Sequence, residues 1–203
     1  MTDYGFSETL FGYSMSQDLL TEKYRPLKQI VPSSLCLTCD VCCRFPEETS
    51  FLAPFFTEEE IERLGPAEAR FFQFPATGSK IKLQAHEEGC ICPYFDPETQ
   101  YCKIYGERPL DCRIYPFAIL RDPEGAVVLG IDTKCPFIQM HAADPGVKVD
   151  AEEVAAFLES ASILPILATH PGLIGPYQED VIIVRPLDRI TEAVGRKCHS
   201  IQP

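Results

Sequence analysis

Four thiols stand within eight residues of this chain: Cys36, Cys39, Cys42 and Cys43, in CLTCDVCC. Thiolates are soft ligands, and thiolates two residues apart can turn toward one centre. Cys90, Cys92, Cys102, Cys112 and Cys135 follow in the middle of the chain, and only Cys198 stands apart. This constrains the fold more than any hydrophobic pattern does. The backbone between Cys36 and Cys135 is expected to gather sulfur around a metal or an iron–sulfur centre.

Composition decides between metal ligands and disulfides. The opening MTDYGFSETLFGYSMSQDLL has no basic segment leading into an unbroken apolar run, so no export signal is expected. No stretch approaches the roughly eighteen apolar residues of a membrane span, so no membrane insertion is expected. The expected compartment is the cytoplasm, where thiols stay reduced and ten cysteines read as ligands. A net charge of −12 argues against a nucleic-acid partner, which needs a basic face, and against an anionic membrane surface. With 45% apolar residues, a core can form without the metal carrying all of the folding.

The pattern between these landmarks predicts an α+β fold. TEEEIERL at 57–64 predicts a helix, with Thr57 as its cap and Glu60 as capping-box partner. Gly65-Pro66 ends it, and AEARFFQF begins another. KIKLQ at 80–84 alternates like a strand, and 89–117, dense in Pro, Gly and Cys, predicts loops and short strands. AVVLGI at 126–131 predicts a buried strand. AADPG at 142–146 reads as a linker. Asp150 then reads as the cap of a helix that turns Val154, Phe157, Leu158 and Ala161 inward and is ended or kinked by Pro165. DVIIV at 180–184 predicts a strand and LDRITEAV a last helix. The expected organisation is a small irregular cysteine-rich metal-chelating domain over 35–141, with short strands and flanking helices. An N-terminal arm over 1–34 precedes it, with a short helix near Ser16 to Tyr24. A helix and strand extension over 142–203 packs on it.

Cys36-x2-Cys39-x2-Cys42 matches the first three ligands of a bacterial ferredoxin run. The fourth position is Pro46, so a remote ligand has to close such a site, and Cys92-Pro93 and Cys135-Pro136 are the candidates. Adjacent side chains diverge, so Cys42 and Cys43 suit two centres, or one ligand and one neighbouring thiol, better than one ion. Cys36, Cys39, Cys42, Cys43, Cys92, Cys102, Cys112 and Cys135 make two sets of four, which spacing alone does not assign. Arg108 and Arg113 flank Cys112, and cations there would offset the charge of an all-thiolate site, which makes both candidates for supporting the cofactor. Cys90 and the isolated Cys198 are expected not to bind metal. His86 reads as a surface or capping residue before it reads as a substitute ligand, and the Glu pairs read as solvated charge.

CLTCDVCC, then CPYF, then YCKIYGERPLDCRIYPF, then KCPFI resembles the YkgJ-type cysteine-cluster family, also described as zinc- or iron-chelating domains. The resemblance runs from Cys36 to Ile138, roughly half of the chain. It implies a metal-chelating domain holding an iron–sulfur cluster, such as 4Fe-4S, or zinc. Some relatives form part of an enzyme that N-methylates flagellin lysines. No glycine-rich loop follows a strand here, so no methyl-donor site is visible. Three functions follow: a redox or accessory module acting with a protein partner, an iron–sulfur-dependent protein-modifying enzyme, or a structural zinc module.

Overall fold

The structure, a computed structural model, describes residues 27–195. The helix expected near Ser16 to Tyr24 and the thiol of Cys198 lie outside these residues. Up to residue 114 the chain is built from short pieces, as its Pro and Gly content requires. They are α1 (Ser33–Cys36), β1 (Arg44–Phe45), β2 (Phe55–Phe56), α2 (Glu58–Leu64), β3 (Ser79–Lys80), β4 (Gln84–His86), β5 (Gly89–Ile91), β6 (Phe95–Asp96), β7 (Tyr101–Cys102) and α3 (Leu110–Ile114). Longer elements follow: β8 (Phe117–Arg121), β9 (Val127–Asp132), α4 (Pro136–His141), α5 (Pro145–Leu158), α6 (Leu164–Thr169), β10 (Val181–Pro186) and α7 (Asp188–Val194). Together they form an α+β fold. Among the described residues, no helix is long and apolar enough to cross a membrane.

The sheets are antiparallel, with orders β1-β5-β4 and β10-β9-β8, and two strand pairs, β2-β3 and β6-β7. β9 is central and buried through Ile131, as its unbroken apolar run predicts. β5 can lie close to β1 because residue 89 is glycine: a Cβ there would stand 2.7 Å from the Phe45 carbonyl oxygen.

α2 forms as the sequence predicts. Thr57 Oγ1 accepts from Glu60 N–H at 3.2 Å, and Glu60 Oε2 accepts from Thr57 N–H at 2.9 Å. Other elements differ. AEARFFQF does not open an α-helix; a 3-10 segment spans Pro66–Phe71. KIKLQ is divided: Lys80 pairs with Phe55, Ile81 bridges Phe72, and Gln84 opens β4. AADPG is no linker, because Asp144 stands at the N-cap of α5 and Pro145, with φ already set for helix, fills its first turn. Asp150 is therefore inside α5, paired with Lys28 at 3.1 Å, and caps nothing. α5 stops at Leu158, so Ala161 is exposed, and Pro165 starts α6 instead of ending its predecessor.

Two cores result. The larger packs β8 and β9 against α5 and α6 through Leu129, Ala151, Leu158 and Leu167. The smaller gathers Phe45, Phe56, Ile61, Phe72, Ile91 and Phe95, with Phe56 and Phe72 edge to face at 5.0 Å.

Candidate metal centre

Each thiol of the predicted set arrives on a short element. Cys36 ends α1, Cys39 follows it, and Cys42 and Cys43 close a 3-10 turn over Val41–Cys43. The Cys43 carbonyl accepts from Cys92 N–H at 3.0 Å, which fastens this knot to the end of β5. Cys102 sits on β7 opposite Phe95, Cys112 is in α3, and Cys135 stands at the N-cap of α4 ahead of Pro136.

These pieces surround a cavity of about 450 Å³ whose wall includes Cys36, Cys39, Cys42, Cys43, Cys92, Cys102 and Cys112. Aromatic and aliphatic residues of both cores, among them Phe45, Phe56, Phe117 and Ile119, complete the wall. Cys135 is 4% exposed and outside the lining, yet its thiol feels those of Cys39 and Cys42. Cys90 does not line the cavity. It is buried in the smaller core, paired across the sheet with Phe45 and Ala85. His86 stands against Arg44 and Glu87 and is not in the lining either. All nine described cysteines are free thiols.

The electrostatics centre on Cys42. The residue is exposed, yet it opens into the cavity with protein around it. The neighbouring Cys43 thiol first, and then the Arg108 guanidinium, pull the Cys42 thiol below its ordinary value, while the interaction with Cys42 and burial push that of Cys43 up. Burial pushes Cys36, Cys102, Cys112 and Cys135 up, and Cys92 up to about 12. Neighbouring thiols add to these shifts, and Cys42 acts on every one of them. Thiols so close together ionise together only when a cation joins them.

The sulfur neighbourhoods overlap, with Cys42 acting on all of them and Cys102 feeling both Cys42 and Cys36. Cys36 and Cys135 both feel Cys39 and Cys42. Cys43 feels Cys112 and Cys92, and Cys112 feels Cys92 and Cys102. Among the described residues, no three His, Cys, Asp or Glu side chains form a group that would hold a single ion as they stand. The donor set is nonetheless that of a soft metal or an iron–sulfur centre. The wall also carries Tyr115, whose hydroxyl is buried without a partner.

Arg108 reaches the site directly. Its Nη1 stands 4.0 Å from Cys36 Sγ, its Nη2 donates to Gln29 Oε1 at 2.9 Å, and its guanidinium lies 4.0 Å from the Tyr105 ring centroid. Arg113 donates to the carbonyls of Arg108 and Gly106, both at 2.7 Å, and so fixes the turn that presents Arg108. Sequence reasoning missed Gln29, Asp132 and Lys80. Asp132 lines the cavity three residues before Cys135, a spacing that could have drawn notice. Lys80 lines it too, donating to the Ala53 carbonyl at 2.8 Å, and burial lowers its pKa.

One family model matches the chain, "CxxCxxCC: Putative zinc- or iron-chelating domain", over residues 35–141, which is 107 of 203 residues. No curated protein and no solved structure matches it.

Proposed function

Because this chain belongs to the CxxCxxCC family of zinc- or iron-chelating domains, we propose that its central thiols hold an iron–sulfur centre and that the protein serves as a redox or accessory module for a protein partner. The observation that carries this reading is the cavity of about 450 Å³ ringed by seven thiols. A single zinc draws four thiolates to about 2.3 Å from one point. A four-iron cluster sets each thiolate on a different iron, so its ligands stand around a space. Seven thiols on the wall of one cavity suit the second arrangement.

Cys36, Cys39 and Cys42 keep the ferredoxin spacing, and of the two Cys-Pro thiols that feel Cys42, Cys92 and Cys135, we take Cys135 as the fourth ligand because it also feels Cys39. Cys43, Cys92, Cys102 and Cys112 remain for a second centre, with Cys42 acting on thiols of both sets. When bound, the cluster supplies single-electron transfer. The chain does the rest: Arg108 offsets negative charge beside Cys36, and the apolar walls from Phe45, Phe117 and Ile119 limit water.

The same division into four and four favours a second reading, two structural zinc sites. The experiment that separates them measures iron, zinc and acid-labile sulfide per chain after anoxic expression with iron. About four iron with matching sulfide supports the cluster. About two zinc with no labile sulfide rejects it in favour of structural zinc.

A further inference from the structure

Tyrosine hydroxyls are amphipathic tips, and one that is buried normally finds a hydrogen-bond partner. Two are buried without one by hydrogen-bond geometry, Tyr94 and Tyr115. Tyr94 has the Glu68 carboxylate beside its hydroxyl. Tyr115 has no such neighbour outside the cavity. It lies on the wall that also carries Cys39, Cys42 and Asp132. Asp132, whose Oδ1 accepts from Lys134 N–H at 2.8 Å, is the first charge acting on the phenol, and the thiols of Cys135, Cys42 and Cys39 follow it.

An unsatisfied buried hydroxyl costs its full desolvation, and a group or water bound in the cavity that it lines would satisfy it. We propose that the Tyr115 hydroxyl donates a hydrogen bond to a sulfur of the centre held by Cys39, Cys42 and Cys135, and so sets the electron density on that sulfur. This rests on the metal-binding reading above, and Tyr115 acts through the sulfur as a positioning residue. A hydrogen bond to a metal-bound sulfur draws charge away from the metal. It moves sulfur-to-metal charge transfer to higher energy and, in an iron–sulfur centre, raises the reduction potential.

The test uses the full chain, reduced and anoxic, with cobalt(II) as the probe, and reads the sulfur-to-cobalt charge-transfer band and the cobalt bound per chain. Tyr115→Phe is expected to bind the same amount of cobalt with its band moved to lower energy. Placing 3-fluorotyrosine at position 115, a stronger donor of nearly the same size, is expected to move the band to higher energy. It serves alone should Tyr115→Phe fail to fold. Tyr177→Phe, at an exposed position, is expected to leave the band in place. A band that stays put in both position-115 variants, or that moves as far in Tyr177→Phe, overturns the proposal. A wild-type chain with no sulfur-to-cobalt band overturns the metal reading itself, and that failure shows before any variant is compared.

Discussion

A thiolate without a metal is unfavourable almost everywhere in this cavity, and that has a sign. Burial holds the thiols of Cys36, Cys102, Cys112 and Cys135 above the ordinary 9.0, and Cys92 at about 12. An unfolded chain would release those protons from pH 9.0 upward, while the folded chain keeps them. Their contribution to stability is therefore complete below pH 9.0 and lost as pH rises toward 12. Metal-free, reduced protein should show a urea midpoint that falls across this window, and falls less in Cys92→Ser. An equal fall in both would remove Cys92 from the explanation. At neutral pH the same protons compete with metal, so binding should release roughly one proton per thiol ligated. The cation beside Cys36 acts in the opposite direction: Arg108→Gln should weaken metal binding about tenfold or more in a chelator competition. Unchanged affinity would reduce Arg108 to a bracket for the turn. The grouping of seven of the eight thiols on one cavity wall was legible because the cysteine pattern is written along the chain. Gln29 was not, since it meets Arg108 from 79 residues away. Tyr115 reads in sequence, with Tyr94, Phe95, Tyr105 and Phe117, as core around the metal, and only the structure shows its hydroxyl buried without a partner on the cavity wall.

At the scale of elements, one carboxylate joins two helices. Glu60, 2% exposed, closes the capping box of α2 with one oxygen, and with the other accepts Leu110 N–H at 2.8 Å, at the start of α3. α3 carries Cys112, so this contact sets where that thiol enters the cavity. Next to it, Asp111 accepts Phe55 N–H at 2.8 Å and anchors α3 to β2. Glu60→Ala removes a cap worth about 1 kcal/mol and strands a buried amide at a further 1–3 kcal/mol or so, a loss of about 2–4 kcal/mol. Glu60→Gln keeps one acceptor and should lose less. Urea denaturation of both variants decides it, and equal losses would point to the charge and not the hydrogen bonds. The capping box itself was visible as a Thr and a Glu three residues apart. Its second partner was not, because no local rule links positions 60 and 110. The start of α5 misled for a local reason: AADPG carries turn residues that also suit a helix start, where Asp occupies the cap and Pro the first turn. β9 was legible because a buried central strand needs an unbroken apolar run.

At the scale of the whole molecule, the two cores differ in how far they stand alone. The larger rests on a three-stranded sheet of five- and six-residue strands and the fourteen-residue α5, packed without help from the thiols of Cys42, Cys43, Cys92, Cys102 or Cys112. The smaller is built around strands of two and three residues, too short to persist by pairing alone. Its chain is tied instead by a hydrogen bond from the Cys92 N–H to the Cys43 carbonyl, between two residues that line the cavity. Metal binding is folding energy for such a segment. Stripping the metal should therefore unfold the chain unevenly. Amides between residues 33 and 112 are expected to lose protection from hydrogen exchange, while those of β8, β9, β10 and α5 keep most of theirs. Circular dichroism should then show a partial loss of structure, and readdition of metal should restore it. Uniform loss across both regions would mean that the larger core depends on the centre through Cys36 and Cys135, the two thiols it shares with the site. Full protection in the metal-free chain would mean that the apolar packing of the smaller core suffices, with the thiols free to exchange metal without disturbing the fold.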